Sequence, residues 1–283
     1  MSAYTIVYHA GLPGRAEFIR LYLEATATPY HDTATEEGQK AIQPYVQGRF
    51  EGCEDNPTPF APPILVVKSS GSDKVEAVIS QTPNIISFLS ARVAPIDLDS
   101  ESPAAASDAS AEQENQQPET KRLKHTKASL DDVSHFHQQE LLLTILDVVN
   151  EAHNTHHPIS TSMFYHDQKE AALQTAKEFR EARLPRYFKY LETAIEKAGN
   201  GYLLKSGVSY VDLAAFQLVD GLQFAFPNWL AKIKPEYPKL FELHERIQTS
   251  PRIAQYLASD RRQPYSEYGI FRQYKELDIA EES

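Results

Sequence analysis

The residues most able to carry chemistry by type and spacing are three histidines in the stretch NEAHNTHHPIS, namely His153, His156 and His157. Their separations of three and four residues would place the imidazoles on one face of a helix, where such groups can bind zinc or nickel. No carboxylate or cysteine completes a ligand set, and Pro158 ends the helix directly after them. We therefore expect no metal site, and we expect the histidines to lie at a helix end, beside a substrate pocket or at the surface.

Asp212 raises a different question, because it stands at the head of an otherwise apolar segment, SGVSYVDLAAFQLVDGL. A buried carboxylate without a partner is costly. Ser209 stands three residues earlier, and the pair fits a capping box. In that motif the Ser209 hydroxyl accepts the Asp212 N–H, and the Asp212 carboxylate accepts the Ser209 N–H. We therefore predict a structural role for both residues and no catalytic role for Asp212.

The composition limits the classes of function. The 283 residues carry a formal net charge of −11, which argues against nucleic acid, because phosphate binding needs a basic face. The single cysteine, Cys53, excludes an intrachain disulfide, and its acidic neighbours do not favour a reactive thiolate. No apolar run approaches the length of a membrane span, and the first residues lack the order of a signal peptide. We expect a cytoplasmic protein without membrane association.

The chain before residue 94 mixes the patterns of strands and helices. Runs of β-forming residues predict strands at YTIVYH, PPILVV and EAVISQ, and a further strand near TPYHDTA. Apolar residues at helical spacing predict helices over GRAEFIRLYLEATA and TPNIISFLSARV. The second helix would have Thr82 as its N-cap and Pro83 in its first turn. This order predicts a small α/β domain over residues 1–93.

A change in composition separates this domain from the rest of the chain. Residues 97–119 hold seven acidic residues, no basic residue and no aromatic side chain, and the basic stretch KRLKHTK follows. Such a segment buries too little apolar surface to offset its ordering entropy, so we predict a flexible insertion over residues 94–132. Four segments with the 3.6-residue period come next and predict an all-helical domain over residues 133–283.

Five stretches, taken in order, resemble the glutathione transferase family. YTIVYHAGLPGRAEFIRLYLEA looks like the first strand, active-site loop and first helix of its tyrosine-type classes (alpha, mu, pi and sigma). FAPPILVV resembles the turn that holds the family's cis-proline, and ISQTPNIISFLS resembles the motif that opens its third helix. The capping box and the late stretch YPKLFELHERIQTSPRIAQYL complete the set. The resemblance implies an α/β plus all-α fold, with a thioredoxin-like N-terminal domain and an all-helical C-terminal domain, assembled as a homodimer.

The resemblance implies a catalytic role for Tyr8, whose hydroxyl would hydrogen-bond the sulfur of glutathione. A donor to the thiolate lowers the thiol pKa below its free value of about 8.5 and so raises the population of the nucleophile at neutral pH. Without the resemblance, Tyr8 would be taken as a core aromatic. The loop that follows is one residue longer than these classes lead us to expect, so His9 competes for the position. Arg15 would either add positive potential beside the thiolate or be a surface charge.

The resemblance also implies a glutathione-binding site. Its cis-proline is assigned to Pro63, with Pro62 as the other candidate. The residue before the cis-proline would pair its N–H and C=O with the cysteinyl backbone of glutathione. Pro62 has no N–H to offer, whereas Ala61 would supply both groups if Pro62 were the cis residue. Gln81 and Thr82 match the pair that holds the γ-glutamyl end, where a helix N-terminus favours a carboxylate.

The second substrate would occupy a pocket between the domains, for which His9, His157 and Tyr165 are candidates. A tyrosine such as Tyr165 is ordinarily a core aromatic, and this alternative stays open. The absence of cysteine in HAGLPGR argues against the cysteine-type members of the superfamily and against disulfide chemistry.

The function implied is a glutathione transferase that activates the glutathione thiol and adds it to an electrophilic small molecule, as in detoxification. Glutathione would be a co-substrate, and no other cofactor is expected. Two alternatives stay open. One is a glutathione-assisted isomerase in a metabolic pathway, which needs the same thiolate. The other is a non-catalytic binding or assembly module that has kept the fold, and Pro62 and the longer loop favour it.

Overall fold

The computed structural model describes residues 3–47, 49–50, 55–69, 71–100 and 133–278. Most of the predicted insertion, and Cys53, lie outside these residues. The beginning of that insertion is described: the Asp97 N–H donates to the carbonyl of Ala25 at 3.0 Å, and Leu98 is buried.

The strands form from the predicted runs of β-branched and aromatic residues, and they make one four-stranded sheet in the order β2-β1-β3-β4. Strand β1 runs parallel to β2 and antiparallel to β3, which in turn runs antiparallel to β4. The further strand predicted near TPYHDTA is confirmed as β2. The bounds of the strands are β1 Tyr4–Val7, β2 Tyr30–Asp32, β3 Ile64–Lys68 and β4 Val75–Ser80.

Two of the helices in this part cover the sheet as their apolar spacing predicts. A short helix and a 3-10 segment with Pro44 inside it were not predicted, because neither carries an apolar period of useful length. The bounds are α1 Glu17–Ala25, α2 Thr33–Glu36, the 3-10 segment Gln39–Tyr45 and α3 Thr82–Ser90.

Residues 133–257 are mainly helical, but with more breaks between helices than predicted. The segment 167–201 divides at a π-helical turn, Phe179–Arg183, and segment 237–259 divides before Pro251, which cannot continue the ladder of a preceding helix. Helix α8, which begins at Pro227, was not predicted. The bounds are α4 Val133–Asn154, α5 Lys169–Glu178, α6 Leu184–Ala198, α7 Tyr210–Ala225, α8 Pro227–Ile233, α9 Pro238–Gln248 and α10 Pro251–Leu257.

Helix α7 is central, packing against α1, α4, α8 and α9. A buried ionic network ties α1 to the late helices. Glu17, which is fully buried, pairs with Arg20 of its own helix and with Arg262, and accepts a hydrogen bond from the Tyr256 hydroxyl at 2.7 Å. Arg20 also pairs with Asp32 at the end of β2 at 2.6 Å. The charges of α1 are therefore compensated from both parts of the chain, as buried charges require.

The fold class is the predicted one: a small mixed sheet with helices, in the thioredoxin-like arrangement, followed by an all-helical part. None of the helices in the described part of the chain combines the length and apolar character that a membrane span requires.

Candidate active site

The strand register brings three of the predicted site residues to one end of the sheet. The last residue of β1 pairs with the first residue of β3, which also pairs with the last residue of β4. Tyr8 follows β1, Pro63 precedes β3 and Gln81 follows β4. These residues therefore leave the sheet at the same edge, although more than seventy positions separate the first from the last.

The Tyr8 side chain lies under the loop that connects β1 to α1. It is 6% exposed, and its hydroxyl oxygen accepts the backbone N–H of Arg15 at 2.9 Å. Burial raises the pKa of the Tyr8 phenol, although the Arg15 N–H and the nearby guanidinium groups of Arg15 and Arg20 act in the opposite direction. The hydroxyl thus keeps its proton at neutral pH. Since its oxygen already accepts one hydrogen bond, this proton is the part of the group that can bind a further acceptor.

Gly14 allows this arrangement because it has no side chain. Its φ is +50°, in the left-handed region, and a Cβ on it would lie 2.3 Å from the Tyr8 hydroxyl oxygen. The loop therefore approaches the phenol more closely than any other residue would permit.

Gly14→Ala is expected to displace the Tyr8 ring and to lower the free energy of unfolding by about 1–3 kcal/mol, the usual cost of overpacking. Urea unfolding measures the loss. Gly11→Ala is the matched control, because Gly11 has a φ of +74° but no atom within 4 Å of the position that a Cβ would take. Equal losses in the two variants would show that backbone strain, and not contact with Tyr8, limits position 14.

Arg15 joins three elements of the site. Its N–H holds Tyr8, its carbonyl accepts the Thr82 hydroxyl at 3.2 Å, and its guanidinium donates to the side-chain oxygen of Asn150 in α4. The side chain is half-buried. Both sequence interpretations of Arg15, positive potential beside the thiolate and a surface charge near the helix N-terminus, stay predictions. The contact of Asn150 could not be predicted from the sequence, because its partner Arg15 lies 135 residues away.

Thr82 is not the N-cap of α3, contrary to the sequence analysis. The helix begins at Thr82, and Gln81 precedes it with a φ of 73°. The Thr82 side chain is 2% exposed, and its hydroxyl is already donated to Arg15. The Gln81 side chain is exposed and its backbone is in a region that few non-glycine residues adopt, which is common where a functional group must be aimed.

The peptide bond between Pro62 and Pro63 is cis. The cis-proline is therefore Pro63, as the sequence analysis assigned it, and the residue directly before it is Pro62, with Ala61 one position further away. Both Ala61 and Pro62 are partly exposed beside the buried start of β3.

His9 lies next to Tyr8 but faces another way. Its Nδ1 is 2.9 Å from the amide nitrogen of Gln39, and its ring meets the Tyr8 ring edge-on at 5.2 Å between centroids. Burial lowers the pKa of His9. The group that the loop N–H holds in place is the Tyr8 hydroxyl and not this imidazole. Which of the two side chains faces the thiol stays a prediction.

Tyr165 and His157 both lie in the segment between α4 and α5. The Tyr165 ring stacks on Tyr274 with 3.8 Å between centroids, and Nδ1 of His157 is 3.2 Å from the amide nitrogen of Gln168. Gln168 also contacts the carbonyls of Ser160 and Met163, so it fixes the loop that carries both candidates. His9 is tied instead to the 3-10 segment through Gln39.

The spacing predicted that the three histidines share one helical face, and this prediction is wrong. Helix α4 ends at Asn154, and His156 and His157 follow in the turn after it. The turn nevertheless gathers the rings, with 4.8–5.0 Å between all pairs of centroids. Burial lowers the pKa of His153 to about 4 and that of His156 to about 3, so both rings are neutral at pH 7.

Ser209 and Asp212 form the predicted capping box at the start of α7. The fully buried carboxylate accepts the Ser209 N–H at 2.8 Å, the Ser209 hydroxyl at 3.0 Å and, in addition, the Leu203 N–H at 2.7 Å. Burial raises the pKa of Asp212 to about 6 against the lowering effect of these donors. The contact with Leu203 could not be predicted, because it depends on the path of the loop before the helix.

Comparisons with known proteins bear on the family and the fold. Residues 153–260 match the family model described as glutathione S-transferase, C-terminal domain. A glutathione S-transferase of Plasmodium yoelii yoelii is 29% identical over 92 residues, which are 32% of this chain and 42% of that protein. The class-mu 26 kDa isozyme 7 of Fasciola hepatica is 35% identical over 60 residues, which are 21% of this chain and 26% of that protein. The chain thus matches less than half the length of either relative.

The likeness in structure is more extensive. The sigma class glutathione transferase of Fasciola hepatica superposes with a TM-score of 0.54, covering 94% of this chain and 99% of that one at 17% identity. The pi-class glutathione S-transferase of Onchocerca volvulus gives a TM-score of 0.52, with coverage of 90% and 91%, also at 17% identity. At these sequence identities, the likeness shows only that the folds are similar.

Proposed function

The chain belongs to the glutathione transferase family, and we propose that it is an enzyme that activates the thiol of glutathione for addition to an electrophilic small molecule. The observation that carries the proposal is the Tyr8 hydroxyl. It is buried, protonated at neutral pH and fixed by the Arg15 N–H, so its proton is free to meet an acceptor at the edge of the sheet.

The proposed reaction needs only the thiolate and a well-placed electrophile. The thiol proton leaves to solvent, and the Tyr8 hydroxyl donates to the sulfur anion that remains. The sulfur then forms a bond to the electrophilic carbon, and the electron pair displaced there leaves with a departing group or takes up a proton. The enzyme contributes a stabilised anion and proximity, and no bond forms between enzyme and substrate. No cofactor takes part, and glutathione is consumed as co-substrate.

Glutathione would lie along the edge of the sheet where Tyr8, Pro63 and Gln81 meet. Its γ-glutamyl end would face Gln81 and the N-terminal end of α3, where the helix dipole favours a carboxylate. Thr82 would act through the backbone, because its hydroxyl is donated to Arg15. The cysteinyl backbone would meet Pro62, whose carbonyl can accept a hydrogen bond but whose nitrogen has no proton.

The second substrate would sit between this edge and the helical part, close to His157 and Tyr165. The His9 ring contacts the Gln39 side chain, so it would line the side of the pocket next to Gln39. We further propose that the protein works in the cytoplasm.

The experiment that tests the proposal is an ultraviolet titration of the thiolate of glutathione bound to the wild-type protein. We expect the pKa of the bound thiol to lie about one to two units below that of the free thiol. The missing N–H of Pro62 favours a second candidate, a module that binds glutathione without activating it. Binding with an unchanged thiol pKa would support that module and refute the enzyme.

We also propose that the protein is a homodimer, and Phe60 is the side chain that supports it. Its ring is 91% exposed, in the loop before Pro63, and a large exposed aromatic is a common anchor of an interface. Phe60→Ser is expected to raise the dimer dissociation constant at least tenfold in sedimentation experiments. Tyr268→Ser, which removes another ring that is 70% exposed, is the control and should leave the dimer intact. A wild-type protein that sediments as a monomer would contradict the proposal.

A further inference from the structure

The three histidines after α4 form a cluster that the proposed reaction does not use. We propose that His153, His156 and His157 bind a divalent transition-metal ion such as Zn²⁺, with the fourth coordination position open. This departs from the expectation drawn from the sequence, where no carboxylate or cysteine completes a ligand set and Pro158 follows the histidines directly.

The geometry of the cluster is close to that of a three-histidine site. One nitrogen from each ring lies within 4.8 Å of the other two. A tetrahedral zinc ion with Zn–N distances of about 2.0–2.1 Å needs nitrogens about 3.3 Å apart. The nitrogens must therefore approach by about 1.5 Å at most, which requires side-chain rotations of both His153 and His157 toward His156; His153 is the most exposed of the three.

His156 is arranged as a metal ligand usually is. Its Nε2–H donates to the carbonyl of Ile270 at 2.8 Å, which fixes the tautomer and leaves the Nδ1 lone pair free. The side chain is 1% exposed, and among the residues that the structure describes Nδ1 has no hydrogen-bond partner. A buried acceptor without a partner is costly, and a bound cation would satisfy it.

The His157 ring has hydrogen-bonding contacts with the backbone of Met163 and of Ser160, and a longer contact through Nδ1 with the side chain of Gln168. The amide nitrogen of Gln168 has two protons but three acceptors within reach: the carbonyls of Ser160 at 3.0 Å and Met163 at 3.1 Å, and His157 Nδ1 at 3.2 Å. The histidine contact is the longest of the three. It can be given up to a metal while Gln168 stays fixed by the two carbonyls.

The charged groups that act on the cluster are Arg272 and Arg15, and both are cations. They oppose a metal ion, so bonding to the three imidazoles must outweigh their repulsion. We therefore expect that neutralising Arg272 strengthens metal binding. A cluster with a purely structural role gives no such result.

The proposed metal would border the candidate active site. Asn150, which accepts the Arg15 guanidinium, stands one helical turn before His153 on α4. The open position would then hold water or an anionic group of a substrate. The metal site itself is argued from the histidines alone and does not rest on the proposed reaction.

The test uses the full chain without an affinity tag, stripped with a chelator and titrated with ZnCl₂ by calorimetry. We expect one equivalent of Zn²⁺ per chain, and a dissociation constant raised at least tenfold in both His153→Ala and His157→Ala. His166→Ala, which removes a nearby exposed imidazole, should bind as the wild type does. Co²⁺ should give the visible absorption of a four-coordinate ion in the wild type and not in the two ligand variants.

Arg272→Gln should bind Zn²⁺ several-fold more tightly than the wild type. Thermal unfolding without metal checks that each variant is folded. The proposal is overturned by a wild type that does not bind Zn²⁺, or by unchanged affinity in either His153→Ala or His157→Ala. Weaker binding in folded Arg272→Gln would also contradict the assigned position of the cation.

Discussion

Tyr8→Phe is expected to slow the addition of glutathione to an electrophile at pH 7 by at least tenfold while leaving the protein folded. The variant removes one oxygen and keeps the ring that fills the space under Gly14. A hydrogen bond to a charged group is worth about 1.5–3 kcal/mol, and its loss would raise the pKa of the bound thiol by about one to two units. Titration of the thiolate absorbance and rates at several pH values measure both effects.

The difference in rate between Tyr8→Phe and the wild type should depend on pH. Above the raised thiol pKa the variant and the wild type both carry a thiolate, so the difference in rate should narrow as the pH rises. The loss of the acceptor for the Arg15 N–H should cost only about 1 kcal/mol of stability. Glutathione binding itself should weaken only slightly.

His9→Ala is the control for the neighbouring position and should change the thiol pKa much less, because the His9 ring is held by Gln39. If His9→Ala raised the thiol pKa and Tyr8→Phe did not, the active group would be the imidazole. If neither variant changed a thiol pKa that was already that of free glutathione, the protein would be a binding module.

Asp212→Ala is expected to lower the free energy of unfolding by about 2–4 kcal/mol. The carboxylate accepts three hydrogen bonds in a fully buried position, and truncation leaves the Leu203 and Ser209 N–H groups without an acceptor. Each buried donor left unsatisfied costs about 1–3 kcal/mol. Urea unfolding at pH 7, where a carboxyl with a pKa of about 6 is mostly ionised, measures the loss.

Two further variants separate the contributions. Ser209→Ala keeps both N–H groups paired and should cost about 1 kcal/mol, the usual value for a lost cap. Asp212→Asn keeps one acceptor oxygen and should fall between the two alanine variants. In the fraction that folds, glutathione binding should be intact in all three. A collapse of turnover with unchanged stability would instead give Asp212 a catalytic role.

The sequence by itself determined the parts of this protein that depend on local periods and local chemistry. The alternating and apolar runs defined β1, β3 and β4, and helical spacing defined α1, α3 and α7, because period and propensity act within a few residues. The capping box of Ser209 and Asp212 was readable for the same reason, since its partners are three residues apart. The order of five family-like stretches gave the fold class and the candidate tyrosine.

The tertiary structure decided what depends on distant pairing. It placed Tyr8, Pro63 and Gln81 at one edge, because strand register, unlike periodicity, joins residues far apart in the chain. It also showed that Thr82 is not the N-cap of α3 and that its hydroxyl donates a hydrogen bond to the Arg15 carbonyl.

The clearest case is the histidine cluster. Spacing predicted a shared helical face, but the helix ends at Asn154, and a turn gathers the rings while Ile270, more than a hundred residues later, fixes one of them. The contact between that turn and the C-terminal segment joins residues far apart in the chain, and no local pattern in the sequence predicts it.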